Sequence, residues 1–487
     1  MRYRIPHCRF ILCFLSIIAP LDSMFAFALD KARIIVTTDI TNEPDDQESM
    51  IRLLVYANNF DIEGLIGSTG IWKLCDPATN VIHECIDAYA KVRNNLALHD
   101  RDFPSADYLH SITATGNTGY GMSAVGYRGS KGANMIIDAV DKDDPRPVWL
   151  LAWGGANTIA QALWTVMHTR EQDELDKFVR KIRVYDLAAQ DDAGAWMAKT
   201  FPDLFIIRNV QTFKGMSFRF SSRAWDHTRG GDESMVTRDW VKRNIQDNHG
   251  AMGKLYPDAL HIWEGDTPTF FYLMPNGLND PGQQWQGSWG GRFSRQKMKN
   301  VNIVAQEYAG ADCSKGCWVN EEPYLDYWMY ADVADTWTFN EKTYNNVWCS
   351  IFRWRGDFQN DFAARMDWCV KSYDAANHNP VAIINGDKTK QVLYRKANTG
   401  TSIQINATGS SDPDGDELRY NWWVYKEAGT YDADVKIHGA SSSVATVDIP
   451  DNAKEKTMHI ILTLRDNGIP PLTSYRRMVI TGTDGVE

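Results

Sequence analysis

Asp39, Glu43, Asp45 and Asp46 put four carboxylates within eight residues, directly after the apolar run Ile34-Ile35-Val36 of a buried strand. Acids this close repel unless a cation lies among them, and an all-oxygen ligand set selects a hard ion such as Ca2+ over zinc or copper. Pro44 suits the first turn of a helix, and Met50, Leu53, Leu54 and Ala57 continue it as an apolar stripe at three- and four-residue spacing. Asp45 and Asp46 then stand at its amino end, where acids also complement the helix dipole by about 0.3 to 1 kcal/mol each. Dipole complementation accounts for the doublet but not for Asp39 and Glu43. The segment therefore reads as a site at the carboxyl end of a strand, where open α/β sheets carry their chemistry.

Three further segments could converge on it. In Trp149-Leu-Leu-Ala-Trp153-Gly154-Gly155-Ala-Asn157 a strand runs into a glycine pair, which either makes a tight turn or lets the backbone approach a ligand. The pair is not GxGxxG and supports no dinucleotide fingerprint. Gln190, Asp191 and Asp192 follow the strand ending near Asp186 and precede a helix, a place for helix capping as much as for ligand contact. Glu264 and Asp266 lead to Asn276, Asn279 and Asp280 among glycines and tryptophans, a composition that suits sugars: amides and carboxylates bind hydroxyls and indoles stack on ring faces. There is no Gly-x-Ser-x-Gly elbow for a serine nucleophile.

The elements that must position these residues alternate. Ile34–Val36, Ile62–Ser68, Val148–Ala152, Ile182–Leu187 and Leu204–Arg208 are strand runs, with helices after the first, from Asn157, and over Ala193–Lys199. That order predicts an α/β fold, an open, mainly parallel sheet with helices on both faces. Residues 210–350 are rich in Gly and Trp with weak periodicity and read as loops and short elements over the site. A helix over Phe358–Ala376 ends at Asn377-His-Asn-Pro380, a polar breaker that suits a domain boundary. Beyond it, Ile403–Ala407, Leu418–Tyr425, Ser443–Ile449, Met458–Leu464 and Arg476–Thr481 read as a smaller all-β, Ig-like sandwich. The turn Asp412-Pro-Asp-Gly-Asp416 needs no ion to explain it.

Residues 1–28 have the form of a secretory signal: Arg2, Arg4 and Arg9, an apolar run from Ile11 to Leu21, and Ala26-Phe-Ala28 as a cleavage site. The domains are then 29–377 and 378–487, exported and without a membrane span. The formal net charge of −11 becomes two units more negative when the leader, with three Arg and one Asp, is removed. Such a balance disfavours nucleic acid and anionic lipid and leaves neutral ligands and cations as partners. Six cysteines remain in an oxidising compartment, and local pairing would join Cys75 to Cys85, Cys313 to Cys317 and Cys349 to Cys369, among 15 connectivities.

Thr38-Asp-Ile-Thr-Asn-Glu-Pro-Asp-Asp46, Gln190-Asp-Asp-Ala-Gly194 and Pro275-Asn-Gly-Leu-Asn-Asp-Pro281 resemble the nucleoside-hydrolase-like domain of secreted bacterial proteins described as cellulose-binding. Asp412 to Trp423 resembles the start of the β-sandwich that follows it in that group. More loosely, the opening segment resembles the Asp-x-Asp-x-x-x-Asp-Asp signature of nucleoside hydrolases, calcium enzymes that cleave N-glycosidic bonds.

The resemblance implies a calcium site of Asp39, Asp45, Asp46, the Trp153 carbonyl and Asp280. It implies sugar contacts from Glu43, Asn157, Gln190, Asp191, Asp192, Glu264, Asn276 and Asn279. Asn279 falls where nucleoside hydrolases often carry a leaving-group histidine, and Glu264 and Asp266 are weaker candidates for the leaving-group acid. Aligned without gaps on the doublet, the family's water-activating aspartate falls on Thr41. Aligned on the strand it falls on Asp39, after a two-residue insertion, with Glu43 in reserve. The implied activity is calcium-dependent hydrolysis of N-glycosyl or other glycosidic bonds. The rival is carbohydrate binding without cleavage, in the same pocket or on an aromatic face carrying Trp422 or Trp423. The ligand is a small sugar, riboside or polysaccharide, and an oligomer stays open.

Overall fold

The computed structural model describes residues 31–41, 43–216, 229–258, 264–298 and 327–484. The leader and the Cys313–Cys317 pair lie outside the described residues.

Eight strands form the main sheet: β1 (Ala32–Thr38), β2 (Phe60–Gly67), β3 (Thr113–Thr115), β4 (Val148–Ala152), β5 (Ile182–Leu187), β6 (Phe205–Asn209), β7 (Phe293–Met298) and β8 (Tyr327–Asp332). Their order is β3-β2-β1-β4-β5-β6-β8-β7, parallel throughout except for the antiparallel edge strand β7. The central strands are near-continuous apolar runs because both faces are covered. Ile34, Val36, Trp149 and Leu151 point into one core layer, and Ile35, Val148 and Leu150 into the other. The helix Pro44–Val55 packs into the first layer, and Asn157–Thr169 and Ala193–Thr200 into the second. The chain runs from β1 outward to β2 and β3, then returns to place β4 on the other side of β1. The crevice beyond the carboxyl ends of β1 and β4 is therefore the switch point at which such sheets bind ligands.

Two strands of this sheet, β7 and β8, come from the segment read as loops and short elements over the site. Burial along β7 alternates under the polar sequence Ser294-Arg-Gln-Lys297, as befits an edge strand with one wet face. The helix expected over Phe358–Ala376 spans Arg355–Trp368.

The C-terminal part is a sandwich. Leu393–Asn398, Thr473–Thr483, Thr457–Arg465 and Arg419–Val424 form one sheet, and Ser402–Asn406, Val444–Asp448 and Ile437–His438 the other. Ile405, Trp422, Val447, Ile460 and Leu462 fill the space between them. Trp422 is thus core, 2% exposed, and cannot belong to an aromatic surface; strand alternation turns Trp423 the other way. The outer face of the four-stranded sheet packs on the α/β part, with Tyr425, Ile461 and Tyr475 joining its first core layer. Tyr475 and Arg465 both hydrogen-bond Asp357, and Arg477 Nη2 donates to the Gly287 carbonyl at 3.0 Å.

The expected disulfides between described cysteines do not form. Cys75, Cys85, Cys349 and Cys369 are free thiols. Cys85 faces the core from its helix while Cys75 is exposed, and the 14-residue helix Arg355–Trp368 lies between Cys349 and Cys369, about 20 Å of chain where a bridge needs Cα atoms within about 7 Å. Among the described residues no helix is long and apolar enough to cross a membrane.

Candidate functional site

β1 ends at Thr38, whose hydroxyl donates to the Asp46 carboxylate and accepts the Ile40 N–H, tying the strand end to the first helical turn. Glu43 is the extended residue before the helix and Pro44 opens it, so Asp45 and Asp46 sit buried at its amino end. Asp266 arrives from the turn before the short helix Pro268–Phe271. One carboxylate oxygen from each of Asp45, Asp46 and Asp266 lies within 4.8 Å of the other two. Asp39 stands beside this group and feels its charge.

Burial is the main cause of a common upward shift in pKa, which makes these carboxyls weaker acids. Desolvation, helped by Asp45, pushes Asp39 up to about 7. Glu43 rises to about 8 and Asp45 to about 6, again mainly by burial. Asp46 and Asp266 stand well above the carboxylate range, through burial and then through one another's neighbours. Lys73 opposes this at Asp39, and its ammonium bonds the Thr41 hydroxyl at 3.0 Å.

Several buried oxygens here have no hydrogen-bond partner among the described residues: Asp39 Oδ2, Asp45 Oδ1, Asp266 Oδ2 and Gln190 Oε1. Such groups are costly in a protein interior unless something satisfies them. The donors are all oxygen and mostly carboxyl groups, so they fit a hard divalent cation that would displace their protons, and not zinc or copper. The backbone is cut to admit them. A Cβ on Gly70 or Gly154 would come within 2.2 or 2.5 Å of the Asp39 carboxylate, and one on Gly265 within 2.6 Å of Asp45 Oδ2. Gly154 and Gly155 serve close approach and not a positive-φ turn, since neither adopts positive φ.

The remaining sequence candidates divide. Trp153 is fully buried, its indole donating to Thr269 Oγ1 at 2.7 Å, and its carbonyl accepts the Gln190 side-chain amide at 2.6 Å. That leaves Gln190 with its own carbonyl oxygen facing Asp39 across Gly70. Asp191 caps two helices by accepting the N–H groups of Asn157 and Ala193, at 3.0 Å each. Asn157 donates to Thr69 and the Gly119 carbonyl, and Asp192 accepts the Met122 N–H. These three hold loops around the crevice. Glu264 is locked by Arg52, at 2.6 and 2.9 Å, and by the Tyr256 hydroxyl at 2.8 Å, an arrangement that does not leave it free to protonate a leaving group.

Asp280 does not join the carboxylate group, whereas Asp266 does. Asp280 closes a turn by accepting the Gly282 N–H, beside Asn279, whose amide donates to the Tyr272 carbonyl. Asn276 faces the sandwich and accepts the Tyr475 N–H on its own carbonyl. The sequence reading also passed over Glu48 and Arg52. Four residues apart on the buried face of the first helix, they fix Glu264, and with it Asp266, from 216 and 212 residues away. A paired acid and base in an apolar helical stripe was the available signal.

Residues 33–293 match the family model "Cellulose-binding Sde182, nucleoside hydrolase-like domain", and residues 402–482 match "Cellulose-binding protein Sde0182, C-terminal domain". The chain belongs to the Sde182 family. A solved relative of this Sde182-family chain is a nucleoside hydrolase-related protein from Saccharophagus degradans, described as associated with carbohydrate metabolism. It is 43% identical, with a TM-score of 0.79, over 93% of this chain and all of its own. The PKD domain from KIAA 1837 protein, 21% identical over 20% of this chain and 84% of its own, has a TM-score of 0.15. No curated protein matches the Sde182-family chain.

Proposed function

We propose that the crevice at the ends of β1 and β4 hydrolyses glycosidic bonds, N-glycosyl bonds included, with a calcium ion held by Asp45, Asp46 and Asp266. The observation that carries this reading is the convergence of the buried Asp45, Asp46 and Asp266 carboxylates, with oxygens of Asp45, Asp266 and the neighbouring Asp39 left without a partner among the described residues. The cation, when bound, would supply Lewis-acid positioning of water and sugar hydroxyls. Asp39, beside the ligand group and with a buried carboxylate oxygen that no described residue partners, takes the proton from the attacking water as general base. Gln190 Oε1 accepts from a sugar hydroxyl, and the buried walls exclude bulk water. The leader read in residues 1–28 would deliver the protein to extracellular glycans or ribosides.

The first test is sugar release by the mature protein from ribosides and plant-type oligosaccharides, with calcium and then with chelator. Release that chelator abolishes is the expected result. No release from folded protein would leave the second reading, binding without cleavage, which the family's description as cellulose-binding favours. A finer prediction concerns Gly154. Gly154→Ala pushes a methyl against the Asp39 carboxylate and should lower activity by about 10²-fold. Gly126→Ala, where a Cβ meets nothing within 4 Å, should leave it unchanged, and equal rates for the two variants would remove Asp39 from the mechanism.

A further inference from the structure

A second cavity, of about 880 Å³, lies between the α/β part and the sandwich and shares no lining residue with the acid crevice. Its volume is at the upper end of the range for ligand sites. Three tryptophans line it: Trp337 on the strand Asp335–Phe339, Trp354 before the helix Arg355–Trp368, and Trp423 on the outer face of the sandwich. Trp354 and Trp423 have ring centroids 5.8 Å apart, and Trp423 is held by a hydrogen bond from its indole to Thr463 at 3.1 Å. Trp354 is 2% exposed, yet its indole N–H has no partner among the described residues, and the same is true of Arg353 Nε.

The charges in this lining cancel. Arg353, Lys426 and Arg465 face Asp357, Glu427 and Asp432, and Arg465 already pairs with Asp357. A phosphate or uronate would find no net positive field here. What the cleft offers is the half-buried indole surface of Trp337 and Trp423, the exposed Asn421 amide and a border of threonine hydroxyls. Those groups match a molecule that is neutral, rich in hydroxyls and apolar on its ring faces.

We infer that this interdomain cleft is a binding site for a neutral glycan chain, separate from the acid crevice and independent of any cation there. The inference does not rest on the hydrolytic reading, since the cleft holds a chain whether or not the crevice cleaves one. It gives the fused sandwich a role, because the larger share of the lining is built on the sandwich and the rest on the α/β part.

The test is calorimetric titration of the full mature chain with cellohexaose and with xylohexaose, in chelator. Binding of at least one is expected, retained in Asp46→Asn, and weakened about tenfold by Trp337→Ala. Asn421→Glu, which puts an unpaired charge on an exposed position of the lining, should weaken it similarly without threatening the fold. Melting curves establish that each variant is folded. The inference is overturned if folded wild type binds neither probe in the millimolar range, or if both variants bind like wild type. Binding that chelator and Asp46→Asn abolish would place the glycan in the acid crevice and also overturn it, whereas loss of hydrolysis alone would leave it standing.

Discussion

Asp46→Asn should abolish cation-dependent sugar release, and Asp39→Asn should lower it by about 10² to 10⁴-fold, but for different reasons that calcium titration separates. Asp46 lies in the three-carboxylate group and is already held by Thr38, so the amide keeps the shape and removes one anionic ligand. Its rate should recover in part at high calcium. Asp39 stands beside that group, wedged between Gly70 and Gly154, and its loss removes the proton acceptor. Asp39→Asn should therefore show a depressed kcat at every calcium concentration, with near-normal dependence on the ion. Measuring kcat against calcium for both variants and for Glu43→Gln decides the alignment question. If Glu43→Gln is the dead enzyme and Asp39→Asn keeps its kcat, the base has been misassigned.

Much of this site was legible in the sequence because its core is local. Asp39, Asp45 and Asp46 lie on one strand–helix connection, and strand burial plus Pro44 at the helix start place them without tertiary information. The glycine pair was legible as a close approach or a turn, and only the Asp39 contact chooses between them. The fourth carboxylate was not legible. Asp266 and Asp280 both follow plausible motifs, and the former is anchored through the buried Arg52–Glu264 pair, a contact 212 residues apart whose one mark in the sequence is an acid and a base four residues apart in the first helix's apolar stripe. Strand β7 was lost for a related reason. Its polar side chains face solvent at a sheet edge, so neither apolar runs nor propensity mark it. Five of the seven sandwich strands were found to within three residues at each end, because alternation with one buried face is a local pattern, whereas the largely exposed Leu393–Asn398 and the two-residue Ile437–His438 carry no such pattern and were missed.

The chelated protein should become less stable as pH rises from about 5 to 8, and calcium should reverse that trend. In the unfolded chain Asp39 and Asp45 ionise near 3.8 and Glu43 near 4.5, while in the folded chain they hold their protons to about 7, 6 and 8. Between those limits the folded state binds more protons than the unfolded one. Stability is therefore fullest below the unfolded values and is lost as pH climbs toward the folded ones, at up to about 1.4 kcal/mol per pH unit for each group. The groups sense one another, so the loss is a property of the cluster and not of one residue. A cation replaces the protons and adds stability in proportion to the logarithm of its concentration over Kd. Its melting-temperature increment should accordingly be small at pH 5 and large at pH 8. His459, buried beside Arg477 and depressed to about 2, contributes the opposite slope below about 6.5, so the informative quantity is the difference between wild type and Asp46→Asn at each pH. That variant deletes a buried carboxylate. It should melt higher than wild type in chelator at pH 8 and respond little to calcium. A wild type whose chelated form is as stable at pH 8 as at pH 5, with no gain from calcium, would mean that the unpartnered oxygens of the crevice are satisfied by water and not by an ion.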